Sequence, residues 1–245
     1  MICLTPKEIS NFTKRFFKLL LSVIMATRND EKNLVESIDS ILNQTYNNFE
    51  FLIMNDDSSD TTFEILHDYT KKDNRIRIFN NKDHLGLTKS LNILLSHSRG
   101  EIIARQDSDD YSMSQRFIKQ INFLHQEKFK FCVTRAIVKN QEKLIPGISF
   151  YFPKKYVIRY KNPFIHGTLM IKKNTLIQYG GYDEKYYYAQ DYKLFVSMLK
   201  NKVRYKYIKE PLYYLNTKDN ISTHHRDEQN KYFELVRKDF NLKIL

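Results

Sequence analysis

Three aspartates fall within four positions of this sequence, at Asp107, Asp109 and Asp110, directly after an apolar run. A helix cap uses one side chain, and three neighbouring carboxylates repel one another unless a proton or a cation relieves the repulsion. Carboxylate oxygens are also the ligands that suit Mg²⁺ or Mn²⁺, which proteins commonly share with substrate phosphates. The segment therefore predicts either a helix cap or a cation site.

Another acidic cluster, NDDSSD, occupies residues 55–60; in chain order it is called the first cluster below, and residues 107–110 form the second. Asp56, Asp57 and Asp60, each taken alone, are typical of turns and helix caps. The position of both clusters relative to the strands has to decide between the two interpretations.

Strands and helices alternate along the first half of the chain. Apolar runs at residues 20–26 and 49–54 are typical of strands buried on both faces of a sheet, and shorter runs at 75–79 and 101–105 continue the pattern. Between these runs, apolar residues recur at helical spacing. The pattern predicts an α/β fold with a doubly wound, mostly parallel sheet over roughly residues 20–125.

Polar residues and glycine mark the predicted helix ends. The candidates are Asn29 or Asp30 before a helix over 31–44, a capping box of Thr61 and Glu64, Gly100 as a left-handed C-terminal cap, and Ser112 or Ser114 before the helix that carries Phe117.

In an open parallel sheet, ligands bind outside the carboxyl ends of the strands. Residues 55–60 follow the second predicted strand and residues 107–110 follow the fourth, so both clusters lie at that edge. Because a serine is available to open the next helix, the aspartates are not needed as caps. We therefore expect a metal and diphosphate site at this edge of the sheet.

The second half of the chain is less regularly patterned. Strands are predicted near residues 131–138, 168–172 and 203–208, and helices near 188–200 and 226–239. No Pro/Gly-rich linker divides the chain, so we expect a single α/β unit.

The 245 residues include 40 Lys and Arg against 28 Asp and Glu, a net charge of +12, which favours anionic partners. Cys3 and Cys132 lie far apart, which argues against a disulfide framework or a zinc site and fits a reducing cytosol. The apolar run at 16–26 contains Lys18 and is about half as long as a bilayer crossing. We expect no transmembrane segment.

The sequence resembles the family 2 glycosyltransferases of the GT-A fold, inverting enzymes that use nucleotide-diphospho-sugars. The resemblance covers about residues 20–215. It rests on SVIMATRNDEKNLVESIDSILNQTYNNFEFLIMNDDSSDTT, on the D-x-D segment ARQDSDDYSMSQRFIKQ, and on HGTLMIKK and GGYDEKYYYAQDYKLF at the acceptor side. It implies a nucleotide-sugar-binding half at 20–125 and an acceptor half at 126–215, flanked by an extension at 1–19 and a basic amphipathic helix within 216–245.

The resemblance also implies roles on the donor side. Asp56 would bind the base of the donor, usually uracil, and Asp107 would contact the ribose or the metal. Asp109 or Asp110 would ligate the Mn²⁺ or Mg²⁺ cofactor. Further donor-binding residues that it implies are Thr27, Arg28 and Arg105, the last facing the phosphates. The chain departs from the family pattern at Asn55, where an acidic residue is usual, and at Arg28, where an aromatic residue is often found.

On the acceptor side, Asp191 matches the family's general base, and Gln190 stands where relatives usually have Glu. A base that works near neutral pH benefits from a raised pKa, which nearby carboxylates would supply. An acid in the first turn of a helix, stabilised by the helix dipole, is the other interpretation of Asp191. His166 matches a recurrent His that contacts phosphate or acceptor, and His224 and His225 lie where some relatives close over the donor.

These features predict a metal-dependent inverting glycosyltransferase that uses a nucleotide-sugar, with UDP as the expected nucleotide. The predicted acceptor is a glycan or a lipid-linked molecule in cell-surface polysaccharide or lipooligosaccharide synthesis. The predicted location is the cytoplasm, with peripheral contact to the inner face of the membrane.

Three other functions are compatible with parts of the sequence. A nucleotidyltransferase normally opens with a glycine-rich phosphate loop, which VIMATRNDEKN lacks. The charge permits a nucleic-acid-binding protein, but no recognisable module organises the basic residues, and no nucleic-acid partner is expected. A relative that binds donor without turning it over stays open.

The C-terminal stretch combines apolar residues such as Tyr232, Phe233 and Val236 with Lys and Arg. Such a helix either packs back on the core or lies on anionic lipid, and packing is the preferred interpretation.

Overall fold

The computed structural model describes residues 19–218 and 225–242 of the chain. In this part, nine strands form one sheet: β1 (Leu21–Thr27), β2 (Phe49–Asp56), β3 (Ile76–Asn81), β4 (Ile102–Arg105), β5 (Tyr111–Ser112), β6 (Phe131–Val138), β7 (Lys143–Ile145), β8 (Met170–Lys172) and β9 (Tyr205–Leu215). The helices are α1 (Leu34–Leu42), α2 (Thr62–Lys72), α3 (Leu87–His97), α4 (Arg116–Leu124), α5 (Lys154–Val157), α6 (Lys173–Gln178), α7 (Gln190–Lys200) and α8 (Arg226–Asp239).

The sheet is parallel in its first half and mixed in its second. Strands β3, β2, β1 and β4 are adjacent in that order and all parallel. On the other side of β4, the order continues with β8, β6, β9 and β5. β8 is antiparallel to both β4 and β6, β6 is parallel to β9, and β5 is antiparallel to β9. The predicted doubly wound α/β fold is confirmed, and the antiparallel strands belong to the less patterned half.

The core explains why the early strands are continuous apolar runs. In β1, Ile24 packs into one core cluster with Leu52, whereas Val23 and Met25 pack into the cluster on the opposite face with Phe51. Successive side chains of a strand point to opposite faces, so a strand covered on both sides is mostly apolar, and the buried polar pair Ser22 and Glu50 is hydrogen-bonded at 2.6 Å. Each such side chain contributes about 1.5–3 kcal/mol by its burial.

Helix α1 begins at Leu34 rather than at Glu31, and neither Asn29 nor Asp30 caps it, so that prediction is wrong. Asn29 has a positive φ of 51°, and its side-chain oxygen accepts a hydrogen bond from the backbone N–H of Ser59 at 2.7 Å. The loop after β1 is thereby tied to the loop after β2, which carries the first acidic cluster.

Two further predicted capping interactions are absent. Thr61 occupies the N-cap position of α2, as predicted, but its hydroxyl donates to the Glu31 carboxylate at 2.6 Å instead of forming a capping box with Glu64. Helix α3 ends at His97, and Gly100 is not in the left-handed region. A Cβ at Gly100 would lie 2.6 Å from the Leu20 carbonyl oxygen, so this glycine permits a close backbone approach.

The expectation that Ser112 or Ser114 caps the helix after the aspartates is wrong as well. Helix α4 begins at Arg116 without a side-chain cap. Ser112 belongs to β5, and its hydroxyl donates to Gln106 Oε1 at 2.7 Å. This serine therefore shapes the aspartate turn rather than the helix.

The C-terminal helix α8 packs back on the core. Val236 is fully buried, and the Phe233 ring stacks on Tyr192 with centroids 3.6 Å apart. The helix carries four basic and four acidic side chains and so has no net charge. Among the described residues, no helix is both long and apolar enough to span a membrane.

Some sequence expectations fall outside the described residues: most of the extension at 1–19, including Cys3, and also His224. Cys132 is described, and it is a buried free thiol in β6.

Candidate active site

The carboxyl ends of the parallel strands bring the predicted donor-side residues to one edge of the sheet. Thr27 at the end of β1 is paired in register with Asn55 of β2, and Asp56 is paired with Asn81 of β3. β4 ends at Arg105 beside β1, and the second acidic cluster follows it directly. The two acidic clusters therefore lie at the same edge, as predicted.

A buried polar network shapes the backbone of the turn that carries the second cluster. Arg116 in α4 is fully buried and donates to Gln106 Oε1 at 3.1 Å, to the Ser112 hydroxyl at 2.6 Å and to the Arg105 carbonyl at 2.6 Å. Gln106 in turn donates to the carbonyls of Asp107 and Asp110 at 3.1 and 3.0 Å. A buried network with its donors satisfied fixes one conformation of this turn.

Asp107 lies at the centre of the site. Its Oδ1 forms a 2.5 Å ion pair with buried Arg105, and its backbone N–H donates to the Tyr213 hydroxyl at 3.2 Å. Gly167 permits this packing, because a Cβ there would lie 2.7 Å from Asp107 Oδ2 and would also contact Tyr213. The turn at His166–Thr168, within the acceptor-side segment HGTLMIKK, is thus in direct contact with the D-x-D segment.

The other two carboxylates of the cluster resist ionisation. Burial, followed by the charges of Asp107 and Asp30, raises the pKa of Asp109 to about 7. Burial and the charges of Asp107 and Asp109 also raise the pKa of Asp110, although the Asn216 N–H donates to its Oδ1 at 2.7 Å. The cluster therefore favours the binding of a proton or a cation.

Asp191, in the first turn of α7, belongs to the same electrostatic environment. Burial raises its pKa to about 6 and the charge of Asp107 adds to this, whereas hydrogen bonds from the Tyr192 N–H and from Asn162 act in the opposite direction. Asn162 Nδ2 donates to Asp191 Oδ2 at 2.7 Å. Gln190, the preceding residue in α7, is buried.

His166 is held in its neutral form. Its Nε2 lies 3.0 Å from the Tyr182 hydroxyl, and burial followed by the nearby Arg105 charge lowers its pKa well below the ordinary value. A neutral imidazole contacts a phosphate or a hydroxyl by hydrogen bonding alone. His225 is exposed to solvent, and its ring stacks on Tyr188 with ring centroids 5.4 Å apart.

Asp56 contrasts with the second cluster, because protein donors surround its carboxylate. Oδ1 accepts from Asn81 Nδ2 at 2.6 Å and from the Leu85 N–H at 2.9 Å; Oδ2 accepts from the Gly86 N–H at 2.8 Å and lies 2.9 Å from His84 Nδ1. Burial alone would raise the pKa of Asp56, but these groups lower it overall. Because both Asp56 oxygens already have protein partners, a nucleotide base that binds here would hydrogen-bond to an oxygen that also accepts from the protein.

His84 also connects Asp56 to the acceptor half. Its Nε2 lies 3.1 Å from the hydroxyl of Tyr187. Arg28, which is exposed after β1, is close enough to Tyr187 for its charge to act on that phenol. This leaves Arg28 at the rim of the donor side rather than within it.

Three buried polar atoms at this edge have no hydrogen-bond partner among the described residues. They are Thr27 Oγ1, Asn55 Oδ1 and Arg105 Nε. Buried polar groups are nearly always paired with protein, water or ligand. Their position at the carboxyl ends of β1, β2 and β4 is where a ligand of an open parallel sheet would supply partners.

The donor set fits a divalent cation that is shared with a ligand. Within residues 19–218 and 225–242, no group of three or more His, Cys, Asp or Glu side chains is arranged to hold a metal alone. Mg²⁺ sites often use only one or two carboxylates and take their other ligands from substrate phosphates. The repulsion that raises the pKa of Asp109 is the interaction that a cation beside Asp107 and Asp109 would relieve.

The sequence did not single out several residues that shape the site. Arg116 and Gln120 could have been predicted to be buried, because their helical spacing places them beside Phe117 and Ile121 on the buried face of α4. The contact between His84 and Tyr187 joins residues 103 positions apart, and nothing in the local pattern predicts it.

Known proteins are similar in sequence to much of this chain. It matches the model of "Glycosyl transferase family 2" over residues 22–183, a span that ends before Asp191. It is 36% identical over 169 residues to the putative glycosyltransferase EpsE of Bacillus subtilis, covering 66% of this chain and 59% of EpsE. It is 36% identical over 188 residues to the O-antigen biosynthesis glycosyltransferase WbnJ of Escherichia coli, covering 74% of this chain and 72% of WbnJ.

A third relative is the UDP-Glc:alpha-D-GlcNAc-diphosphoundecaprenol beta-1,3-glucosyltransferase WfgD of Escherichia coli, 31% identical over 185 residues that cover 74% of this chain and 70% of WfgD. Coverage of the relatives is incomplete: the chain spans 59% of EpsE and 58% of an uncharacterized Haemophilus influenzae glycosyltransferase.

Solved structures share the fold. Staphylococcus aureus TarS 1–349 in complex with UDP superposes with a TM-score of 0.72 at 20% identity, over 92% of this chain and 67% of that one. The mannosyltransferase PcManGT of Pyrobaculum calidifontis in complex with GDP-Man and Mn²⁺ gives a TM-score of 0.72 at 17% identity, over 97% and 72%. The fold is that of the GT-A glycosyltransferases, and the chain belongs to glycosyl transferase family 2.

Proposed function

We propose that this protein transfers a sugar from a nucleotide-diphospho-sugar to a hydroxyl group of a glycan or lipid-linked acceptor. The observation that carries the proposal is that Asp191 in α7 lies close enough to the second cluster, Asp107, Asp109 and Asp110, for the charge of Asp107 to act on it at the ligand edge of the sheet. Stability does not require such a cluster, because mutual repulsion destabilises it in the absence of a cation or proton.

The proposed donor is UDP-linked. The solved structure of TarS contains UDP, and WfgD is named for UDP-Glc, whereas PcManGT was solved with GDP-Man. Thr27, Asp56 and Arg105 would contact the nucleotide and its phosphates, with Arg28 at the rim. The partnerless atoms Thr27 Oγ1 and Arg105 Nε support this placement.

The proposed transfer proceeds with inversion. Asp191 accepts the proton of the acceptor hydroxyl while the hydroxyl oxygen bonds to the anomeric carbon from the side opposite the leaving group. The bond from that carbon to the diphosphate oxygen breaks, and its electron pair leaves with the nucleoside diphosphate. Mn²⁺ or Mg²⁺, held by Asp109 with Asp107 or Asp110, would neutralise the charge on the diphosphate.

The pKa of Asp191, about 6, suits a general base. At neutral pH the carboxylate is mostly ionised, yet it is more basic than an ordinary aspartate, which favours proton acceptance. Asn162 orients the carboxylate through the bond to Oδ2, and neutral His166 provides a hydrogen bond to phosphate or acceptor.

The proposed setting is cell-surface polysaccharide or lipooligosaccharide synthesis at the cytoplasmic side of the membrane. The support comes from relatives, since WbnJ is named for O-antigen biosynthesis and WfgD for a diphosphoundecaprenol-linked acceptor.

A donor screen tests the proposal. Nucleoside diphosphate release is measured for a panel of nucleotide-sugars with Mn²⁺ or Mg²⁺, using wild type, Asp109→Ala and Asp191→Ala. We expect turnover of at least one donor that depends on the cation and on both aspartates. The proposal is wrong if no nucleotide-sugar is bound or turned over, or if neither substitution changes the rate.

A further inference from the structure

Residues 148–161, called the aromatic-basic segment below, expose large apolar side chains to solvent. The exposed fractions are 80% for Ile148, 67% for Tyr151, 55% for Phe152, 45% for Tyr156 and 47% for Tyr160. Single exposed apolar side chains are ordinary on a protein surface, but a group of them in one segment marks an interaction site.

The same segment is strongly basic. It contains Lys154, Lys155, Arg159 and Lys161 and no Asp or Glu. A groove beside it is lined by Phe129, Pro153, Lys155, Lys202, Arg204 and Tyr205. Cations from two parts of the chain therefore line a groove that adjoins the segment at Pro153 and Lys155, which favours an anionic partner.

Contacts made by Lys154 and Phe150 hold the aromatic-basic segment in place. Lys154 Nζ donates to three backbone carbonyls, those of Ser149, Phe150 and Phe152, at 3.1, 2.5 and 2.9 Å. The Phe150 ring packs against Tyr207 with centroids 4.9 Å apart. The exposed side chains are thus presented by an ordered support, which reduces the entropy cost of docking.

The segment ends beside the proposed base. Asn162 follows it directly and donates to Asp191. The Tyr192 hydroxyl donates to the Ile158 carbonyl at 2.5 Å, and Arg237 donates to the Tyr160 carbonyl at 2.7 Å. A surface bound to this segment therefore lies on the acceptor side of the site.

We propose that the aromatic-basic segment docks this protein on an anionic lipid bilayer. Aromatic rings prefer the headgroup level of a membrane, and Lys and Arg beside them pair with lipid phosphates. Docking here presents a lipid-linked acceptor to Asp191, a consequence that rests on the proposed function. Helix α8 does not compete for this role, because its apolar residues pack on the core and its charges balance.

The test is sedimentation of the full chain with vesicles of phosphatidylcholine mixed with phosphatidylglycerol at about one part in three. One variant combines Lys155→Glu and Lys161→Glu, and a second combines Tyr151→Ser and Phe152→Ser. The matched controls are Arg226→Glu with Lys231→Glu on exposed α8 and Val35→Ser with Phe63→Ser on exposed apolar positions elsewhere. Thermal unfolding checks that every variant is folded.

Wild type should bind the anionic vesicles, bind pure phosphatidylcholine far more weakly, and dissociate as salt is raised. The charge variant should lose about 30-fold in partitioning, at about 1 kcal/mol for each cation. The aromatic variant should lose about tenfold or more, and both controls should stay within about twofold of wild type.

The inference is overturned if wild type does not bind anionic vesicles, if both segment variants bind as wild type does, or if the α8 control loses binding equally. Binding to an acidic protein in place of vesicles would also overturn it. Nucleoside diphosphate release measured without vesicles separates the two proposals, because the segment variants should keep it whether or not lipid binding fails.

Discussion

The two acidic clusters at the carboxyl edge of the sheet look alike in sequence and differ in physical state. Around Asp56, side-chain and backbone donors satisfy both carboxylate oxygens and lower the pKa. Around Asp109, burial and then the charges of Asp107 and Asp30 raise the pKa to about 7. The first cluster is stabilised by the protein itself, whereas the second requires a proton or a cation from outside.

This difference depends on residues remote from either cluster. Asn81 at the end of β3 and Leu85 and Gly86 in the loop after it supply donors to Asp56. Asp30 from the loop after β1 adds negative charge near Asp109. The type and spacing of acidic residues therefore do not separate a structural carboxylate from a reactive one. The hydrogen-bond donors and the charged neighbours around each carboxylate separate the two kinds.

The largest effect is expected for Asp191→Asn, which removes the proposed base with little change of shape. We expect turnover to fall by about 10²–10⁴-fold, the usual contribution of general base catalysis, with a small change in donor KM. Nucleoside diphosphate release in the presence of acceptor is the measurement. Retention of most of the activity would assign Asp191 to helix stabilisation instead.

Asp109→Asn should be next, because it removes one proposed cation ligand from the second cluster. Turnover should fall by about 10²-fold or more, and the Mn²⁺ concentration for half-maximal rate should rise. The matched control is Asp57→Asn in the first cluster, an exposed residue with a φ of 59°, a conformation that Asn adopts readily. An unchanged Mn²⁺ titration of Asp109→Asn would remove this residue from the metal site.

Asp56→Asn should lower stability in addition to weakening donor binding. The amide presents N–H groups where Gly86 and His84 now face an oxygen, which leaves buried donors unpaired. We expect the free energy of unfolding to fall by about 1–3 kcal/mol in chemical denaturation. Asp57→Asn should change it by less than about 0.5 kcal/mol. Equal effects of the two substitutions would contradict the distinction drawn within this cluster.

The pH dependence should show the smallest effect. The raised pKa of Asp191 means that the carboxylate is protonated below about pH 6, so the rate should decrease as the pH falls through that value. Since Asn162 lowers this pKa, Asn162→Ala should move the acid limb to higher pH. A limb that stays in place, or that moves to lower pH, would show that Asp191 does not control it.

The sequence predicts the scaffold better than the details of the site. The apolar runs of β1 and β2 locate the sheet because burial on both faces makes a strand mostly apolar, and the sheet edge then locates Asp56 and Asp107. The predicted capping interactions of Thr61 and Gly100 are absent because long-range contacts use those residues, through Glu31 and the Leu20 carbonyl. The local secondary-structure propensities of residues carry no information about such long-range contacts.

The most direct test of the central claim is the position of Mn²⁺ in crystals grown with a nucleotide-sugar donor, measured by anomalous diffraction at the manganese edge. The account predicts one site beside the donor diphosphate at the second cluster, held by Asp109 with Asp107 or Asp110. Manganese bound at residues 55–60, or a diphosphate held away from the second cluster, would contradict it.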